Sequence, residues 1–148
     1  MSIIHKILVA TDFSETSQKA IDYATSIAKN LNAQLDVVTV VDPSALDFGV
    51  LHFTIGGISK WVEEIKDFRE IAEKKMHYLE TSVTGEKFIL DGNPGKKIVK
   101  YLEENDDYDL VILGSHGYGN LDRFVLGSVS EYVTRKAPCS TMIVKGDI

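Results

Sequence analysis

The stretch Leu110–Ser130, LVILGSHGYGNLDRFVLGSVS, governs the reading of the whole chain. It opens on an apolar run, Leu110 to Leu113, passes through glycines, and re-emerges in a segment whose first turn holds Ser128 and Ser130. A strand that ends in glycine and gives way to a helix start presents backbone N–H groups to an anion. Glycine permits close approach, and the first helical N–H groups lack partners. Gly114, Gly117, Gly127 and Ser128 are spaced G-x2-G-x9-G-S, which is neither the P-loop pattern nor the G-x-G-x-x-G dinucleotide fingerprint. The stretch is therefore expected to be a phosphate-binding loop of another kind. Its glycines are also ordinary turn chemistry, and Ser128 has a second reading as a helix N-cap.

The remainder alternates strand and helix. Ile7–Ala10 is an uninterrupted apolar run of the kind covered on both faces in a parallel sheet, and it ends at Thr11-Asp12. Ala20, Ala24, Ile27, Ala28 and Leu31 then lay an apolar stripe along one helix face. Asp12 and Glu15 have the form of a capping box, so Asp12 carries two readings, helix cap and ligand contact. Leu35 to Val41 reads as a second buried strand, stopped by Asp42-Pro43. The connection over 42–60 holds more apolar residues than a solvated loop needs, among them Leu46, Phe48, Leu51 and Phe53. It reads as a cover over the sheet end, a flap beside a ligand, or a contact with a second subunit. Trp61, Ile65, Phe68, Ala72, Met76 and Leu79 repeat with helical period, their aromatic positions reading as core. Phe88–Leu90 is a third strand, Pro94 opens a helix bearing Ile98, Val99 and Leu102, and Met142–Val144 supplies a fifth strand after Ala137-Pro138. The alternation predicts an α/β fold, an open sheet with helices on both faces, in one domain over 1–148. Ligands in such folds bind beyond the carboxyl ends of the strands, where the strand order reverses.

Composition narrows the partners. The 148 residues are 44% hydrophobic and 26% charged, with a net charge of −6 and a pI near 5.2, which argues against a nucleic-acid surface. His116 and Arg123 still give the glycine loop local positive potential. A single cysteine, Cys139, allows no internal disulfide and points to a reducing compartment. The opening MSIIHKILVATD has too short an apolar run for a signal peptide, and no run approaches a membrane span, so a cytoplasmic protein is expected. The five carboxylates of Glu103–Asp109 lack a calcium-loop pattern and read as a solvated helix end; no metal site is assigned.

Two segments, KILVATDFSETSQKAIDYA at Lys6–Ala24 and DYDLVILGSHGYGNLDRFVLGSVSEYVTRKAPCSTMIVK at Asp107–Lys145, resemble the universal stress protein family, in particular its ATP-binding branch. The resemblance implies a Rossmann-like sheet of five parallel strands in order 3-2-1-4-5, with Asp12 and the glycine loop side by side. It implies a homodimer joined through the last strand, although Ser140 stands where many members have proline. It also implies bound ATP, with magnesium as a companion of the triphosphate. The implied contacts are Thr11 and Asp12, with Asp12 near the ribose, and the backbone of Val40 at the adenine edge. Gly114, His116, Gly117, Gly127, Ser128, Val129 and Ser130 would hold the ribose-phosphate end, the two serines offering hydroxyls.

The expected function is that of an ATP-binding stress protein using nucleotide as a conformational signal, without catalytic residues. Efficient phosphoryl transfer wants a metal-holding carboxylate, a cation on the terminal phosphates and a positioned nucleophile. Three alternatives compete: slow hydrolysis or autophosphorylation at Ser128 or Ser130, an adenylate-forming enzyme, and a dimeric interaction module without nucleotide. The adenylate-forming reading needs a glycine-serine loop after strand one, where TDFSETS has no glycine.

Overall fold

Short apolar runs, buried on both sides in the middle of the sheet and half-buried at its edges, become the strands, and the amphipathic segments between them become the helices. The computed structural model describes residues 3–43, 58–79, 85–116 and 126–146, and the side chains of all of these except 58–67. In chain order the elements are β1 (Lys6–Ala10), α1 (Glu15–Leu31), β2 (Gln34–Val41), α2 (Ile58–Tyr78), β3 (Lys87–Asp91), α3 (Pro94–Glu104), β4 (Leu110–Gly114), α4 (Ser128–Lys136) and β5 (Ser140–Val144). The strands pair in parallel in the order β3-β2-β1-β4-β5, the order implied by the resemblance. The chain steps from β1 out to β3, then crosses back to lay β4 against the other side of β1. Right-handed crossovers therefore put α1 and α2 on one face and α3 and α4 on the other.

Two cores follow from that layering. Ile7, Val9, Leu35, Val37 and Ile112 pack with Ala20, Ile21, Ala24 and Ala28 of α1 and Met76 of α2. Leu8, Val38 and Val111 pack with Ile98, Val99 and Leu102 of α3 and Val133 of α4. Alternate residues of β1 thus serve opposite cores, which is why the run tolerates no polar residue. Each fully buried Leu, Ile or Val contributes about 1.5–3 kcal/mol relative to its exposed state. The small residues Ala20, Ala24 and Ala28 bring α1 close to the sheet, whereas Leu31, assigned to the same stripe by sequence, is 37% exposed at the helix end.

The start of α1 differs from the capping box expected for Asp12 and Glu15. Ser14 is the N-cap, and its side chain accepts from the Ser17 N–H. Asp12 acts one step earlier: its Oδ1 accepts from the Ser14 N–H at 3.0 Å and from the Ser14 hydroxyl. Between them Phe13 takes a left-handed conformation at φ 65°, unusual for a bulky residue, with its N–H donating to Thr11 Oγ1 at 3.0 Å. That backbone kink separates the strand from the helix and turns Asp12 to the sheet's carboxyl edge.

β2 contains a charge that the apolar reading of Leu35–Val41 passed over. Asp36 is 3% exposed and accepts from the Tyr108 hydroxyl at 2.5 Å, the Glu86 N–H at 2.8 Å and Gln34 Nε2 at 3.1 Å. Tyr101 and Tyr108 share a further hydrogen bond of 3.0 Å, and Lys6 Nζ lies 4.5 Å from the Tyr108 ring centroid while pairing with Asp107. Burial, and next the Asp36 hydrogen bond, push the Tyr108 hydroxyl far above its ordinary range. A folded-state value raised in this way stabilises the fold fully below the ordinary tyrosine value of about 10, and the stabilisation is withdrawn as pH climbs beyond it. Tyr108→Phe is accordingly expected to lower the urea midpoint at pH 8, and the gap between wild type and variant is expected to narrow above about pH 10. A gap independent of pH would show that the Tyr108 proton plays no part.

α2 is long for the sheet it covers. Its 21 residues span roughly 31 Å, against roughly 17 Å for the five residues of β3. Lys87 Nζ, at the start of β3, donates to the Met76 and Leu79 carbonyls, and Arg69 pairs with Asp91 at the end of β3. The turns before Arg69 therefore run past the carboxyl ends of the strands. Of the connection read over 42–60, residues 58–60 belong to α2 and 44–57 lie outside the described residues. Elsewhere Pro94 opens α3, as expected, and the structure adds Asn93 as its N-cap.

Candidate functional site

A cavity of roughly 940 Å³ lies over the carboxyl ends of β1, β2 and β4, at the reversal of strand order. That is the position at which open α/β sheets bind ligands, and the size suits a small-molecule site. Nine of the ten residues expected to contact nucleotide line it: Thr11, Asp12, Val40, Gly114, His116, Gly127, Ser128, Val129 and Ser130. The tenth, Gly117, lies outside the described residues, as does Arg123.

One end of the cavity is the start of α4. Gly127 occupies the N-cap position with extended backbone and makes no side-chain capping bond, so Ser128 is the first helical residue and not the cap that one reading allowed. The first intrahelical acceptor is Gly127 O, which takes the Glu131 N–H at 2.9 Å. The N–H groups of Ser128, Val129 and Ser130 are left at the helix mouth with the positive end of the helix dipole. Two bonds fix this mouth to the end of β4: the Gly127 N–H donates to Ser115 O at 2.8 Å, and the Ser130 hydroxyl donates to the same oxygen at 2.9 Å. Ser130, 3% exposed, thus uses its hydroxyl to hold the loop, and its offer to a ligand is its backbone. Ser128 is exposed and keeps its hydroxyl at the surface of the cavity.

His116 sits half-buried beside this mouth. Its Nδ1 is 3.1 Å from Ser115 Oγ and its Nε2 3.4 Å from Thr16 Oγ1, which orients the ring between β4 and α1. Gly114 is small for a reason the sequence did not show. A Cβ there would stand 2.8 Å from Thr16 Cγ2 and 3.2 Å from the Thr16 carbonyl carbon, so the glycine admits α1 as well as facing the cavity.

The other end is made by β1, β2 and α2. Thr11 Oγ1 is 3.0 Å from Ser17 Oγ and accepts from the Phe13 N–H, so this hydroxyl ties the turn together. The Thr11 N–H reaches Val38 O, while the Val37 N–H reaches Glu86 O, just before β3 on the other side. In a parallel ladder alternate residues of a strand bond to opposite neighbours, so Val40 turns its N–H and C=O the same way as Val38, beyond the end of β1 and into the cavity.

Phe13, Ser17, Asp42, Phe68, Ile71, Ala72 and Lys75 also line the cavity, and the sequence reading assigned none of them to it. Phe68 was expected in the core and is instead 51% exposed. Phe68, Ile71, Ala72 and Lys75 fall at helical spacing on one face of α2, and that pattern was the available signal. Among the described residues no group of three or more His, Cys, Asp or Glu side chains is placed to hold a metal ion, and no helix is long and apolar enough to cross a membrane. Cys139 lies just before β5, half-buried, with its thiol pushed up by burial.

Sheet order and cavity together define a doubly wound α/β protein with an anion-receptive crevice at its switch point. Residues 4–145 match the model of the Universal stress protein family. A universal stress protein of Methanocaldococcus jannaschii is 31% identical over 159 residues, covering 98% of each chain. A putative universal stress protein of Staphylococcus haemolyticus is 32% identical over 143 residues, covering 94% of this chain and 83% of the relative. Among solved structures, the universal stress protein UspA of Lactobacillus plantarum superposes with a TM-score of 0.82 at 27% identity, over 97% of this chain and 99% of that one. A universal stress protein in complex with cAMP superposes with a TM-score of 0.59 at 26% identity, over 97% and 98%. The chain belongs to the universal stress protein family.

Proposed function

We propose that this protein binds an adenine nucleotide, ATP, in the crevice between β1 and β4, and uses it as a signal in a stress response and not as a substrate for efficient catalysis. The observation that carries this reading is the convergence of two distant segments on one cavity: the mouth of α4, where Gly127 makes no side-chain capping bond, and the Asp12 turn with the outward-facing backbone of Val40. The mouth suits the phosphates, whose charge meets three N–H groups and the helix dipole. Asp12, held by Ser14, suits a ribose hydroxyl, and the Val40 backbone offers a donor and an acceptor to the edge of a base. A relative of the same fold is known as a complex with cAMP, an adenine nucleotide, which supports the ligand class.

Magnesium would accompany the triphosphate. Asp12 and Asp42 are the lining carboxylates among the described residues, so a metal here would lean on the phosphates for most of its ligands. The partner is a second copy, joined through β5, which lies at the sheet edge with its middle residues half-buried. The single thiol fits a cytoplasmic setting, and the acidic balance fits a protein without a nucleic-acid partner.

The test is to purify the chain, denature it, identify any released nucleotide, and incubate the folded protein with labelled ATP. Released or bindable ATP without turnover is the expected result. Stoichiometric pyrophosphate release would point to adenylate formation, and a protein that is empty and fails to bind added ATP would leave only an interaction module.

A further inference from the structure

Phe68 and Ile71 raise a question that the phosphate end of the site does not answer. Both are large apolar side chains about half exposed, at 51% and 49%, and both line the same cavity as the α4 mouth. They lie three apart on α2 and so on one face of the helix, which makes the exposed apolar surface one patch and not a scatter of single residues. The patch is held in place from below. Ala72 and Met76 are buried against the sheet, Arg69 pairs with Asp91, and Lys87 secures the far end of the helix. At its lower margin Lys75 Nζ stands 5.4 Å from the centroid of the Phe13 ring, the residue next to Asp12.

The cavity is therefore polarised. Its α4 end offers N–H groups and a histidine, its α2 end offers an aromatic ring and a branched aliphatic chain, and the backbone edge of Val40 lies on the β2 floor. A ligand that satisfies both ends has an anionic tail and a flat, poorly solvated ring. We infer that Phe68 and Ile71 of α2 form the wall against which the base of the bound nucleotide lies, with Phe68 as the stacking residue, so that this helix sets the preference for an aromatic base over a bare polyphosphate. The inference rests on the proposed nucleotide site and assigns to it specificity-determining residues outside the glycine loop.

Calorimetric titration of the full chain with ATP tests it, using wild type, Phe68→Ala, Phe68→Trp and Tyr78→Ala. Removing an aromatic ring from a base is expected to weaken ATP binding by about tenfold or more. Phe68→Trp is expected to stay within about threefold of wild type, because a larger ring still stacks. Tyr78→Ala, on the same helix, 77% exposed and outside the cavity, controls for general disturbance of α2. Phe68 is exposed enough that its loss spares the core, and equal urea midpoints for Phe68→Ala and wild type would establish this directly. Loss in Phe68→Ala alone, restored in Phe68→Trp, supports the wall. Phe68→Ala within twofold of wild type, or an equal loss in Tyr78→Ala, overturns it while leaving the nucleotide site standing. A wild type that binds no ATP overturns the site and the wall together.

Discussion

Asp36→Ala is expected to lower the free energy of unfolding by about 3 kcal/mol, read as a fall in the urea midpoint at unchanged slope. The size follows from what the substitution leaves behind. Three donors converge on this buried carboxylate, and two of them, the Glu86 N–H and the Tyr108 hydroxyl, come from segments far from it in sequence. Removing the acceptor strands the Glu86 N–H and leaves the Tyr108 hydroxyl with Tyr101 as its remaining partner; a buried donor without a partner costs about 1–3 kcal/mol, and a lost hydrogen bond to a charged group about 1.5–3 kcal/mol. Asp36→Asn is expected to cost less, because one oxygen survives to take one of the bonds. The network lies in the amino half of β2, whereas the cavity lies beyond the carboxyl ends, so ATP affinity of the folded Asp36→Ala protein should stay within about twofold of wild type. A variant as stable as wild type would mean that Asp36 is solvated and that the strand tolerates it as a surface residue.

Gly127→Val is expected to act chiefly on affinity. Its backbone lies in the extended region, which valine adopts readily, so no conformational penalty arises from the dihedral angles. The crowding is local: a Cβ at this position would stand 3.2 Å from the His116 Cα and 3.4 Å from Ser115 O. A branched side chain there covers the helix mouth and pushes on the histidine loop. The expected result is a loss of ATP affinity of about a hundredfold in a protein that still folds, with about 1–3 kcal/mol lost in unfolding free energy from the overpacking and the poorer N-cap residue. Undiminished affinity would remove the α4 mouth from the site.

The framework of this fold was written plainly in the sequence. Uninterrupted apolar runs such as Ile7–Ala10 and Leu110–Leu113 are what strands buried on both faces require, and the helices between them carried their stripes. The features that escaped were those set by tertiary placement. Asp36 disappeared inside an apolar run because a single charge scarcely changes a pattern averaged over seven residues; its partner Tyr108 lies among carboxylates that read as a solvated turn. Phe68 fitted the helical period of a core residue, but periodicity does not tell which turns of a long helix overlie the sheet and which pass beyond it. Asp12 and Ser14 are both good N-cap residues two apart, and the left-handed Phe13 decided between them. Gly114 was read as room for a phosphate, and the methyl group of Thr16 shows that it is also room for α1. The candidate site was legible through spacing and through the family resemblance, since G-x2-G-x9-G-S alone does not say that Asp12 stands opposite.

The central claim concerns the amides at the start of α4, and amide NMR of the labelled full chain reads them directly. On titration with ATP, the Ser128, Val129 and Ser130 resonances should move together along one saturable curve, accompanied by those of Asp12 and Val40. Saturable binding that moves other amides and leaves Ser128–Ser130 in place would contradict the account, as would a spectrum unchanged at millimolar ATP.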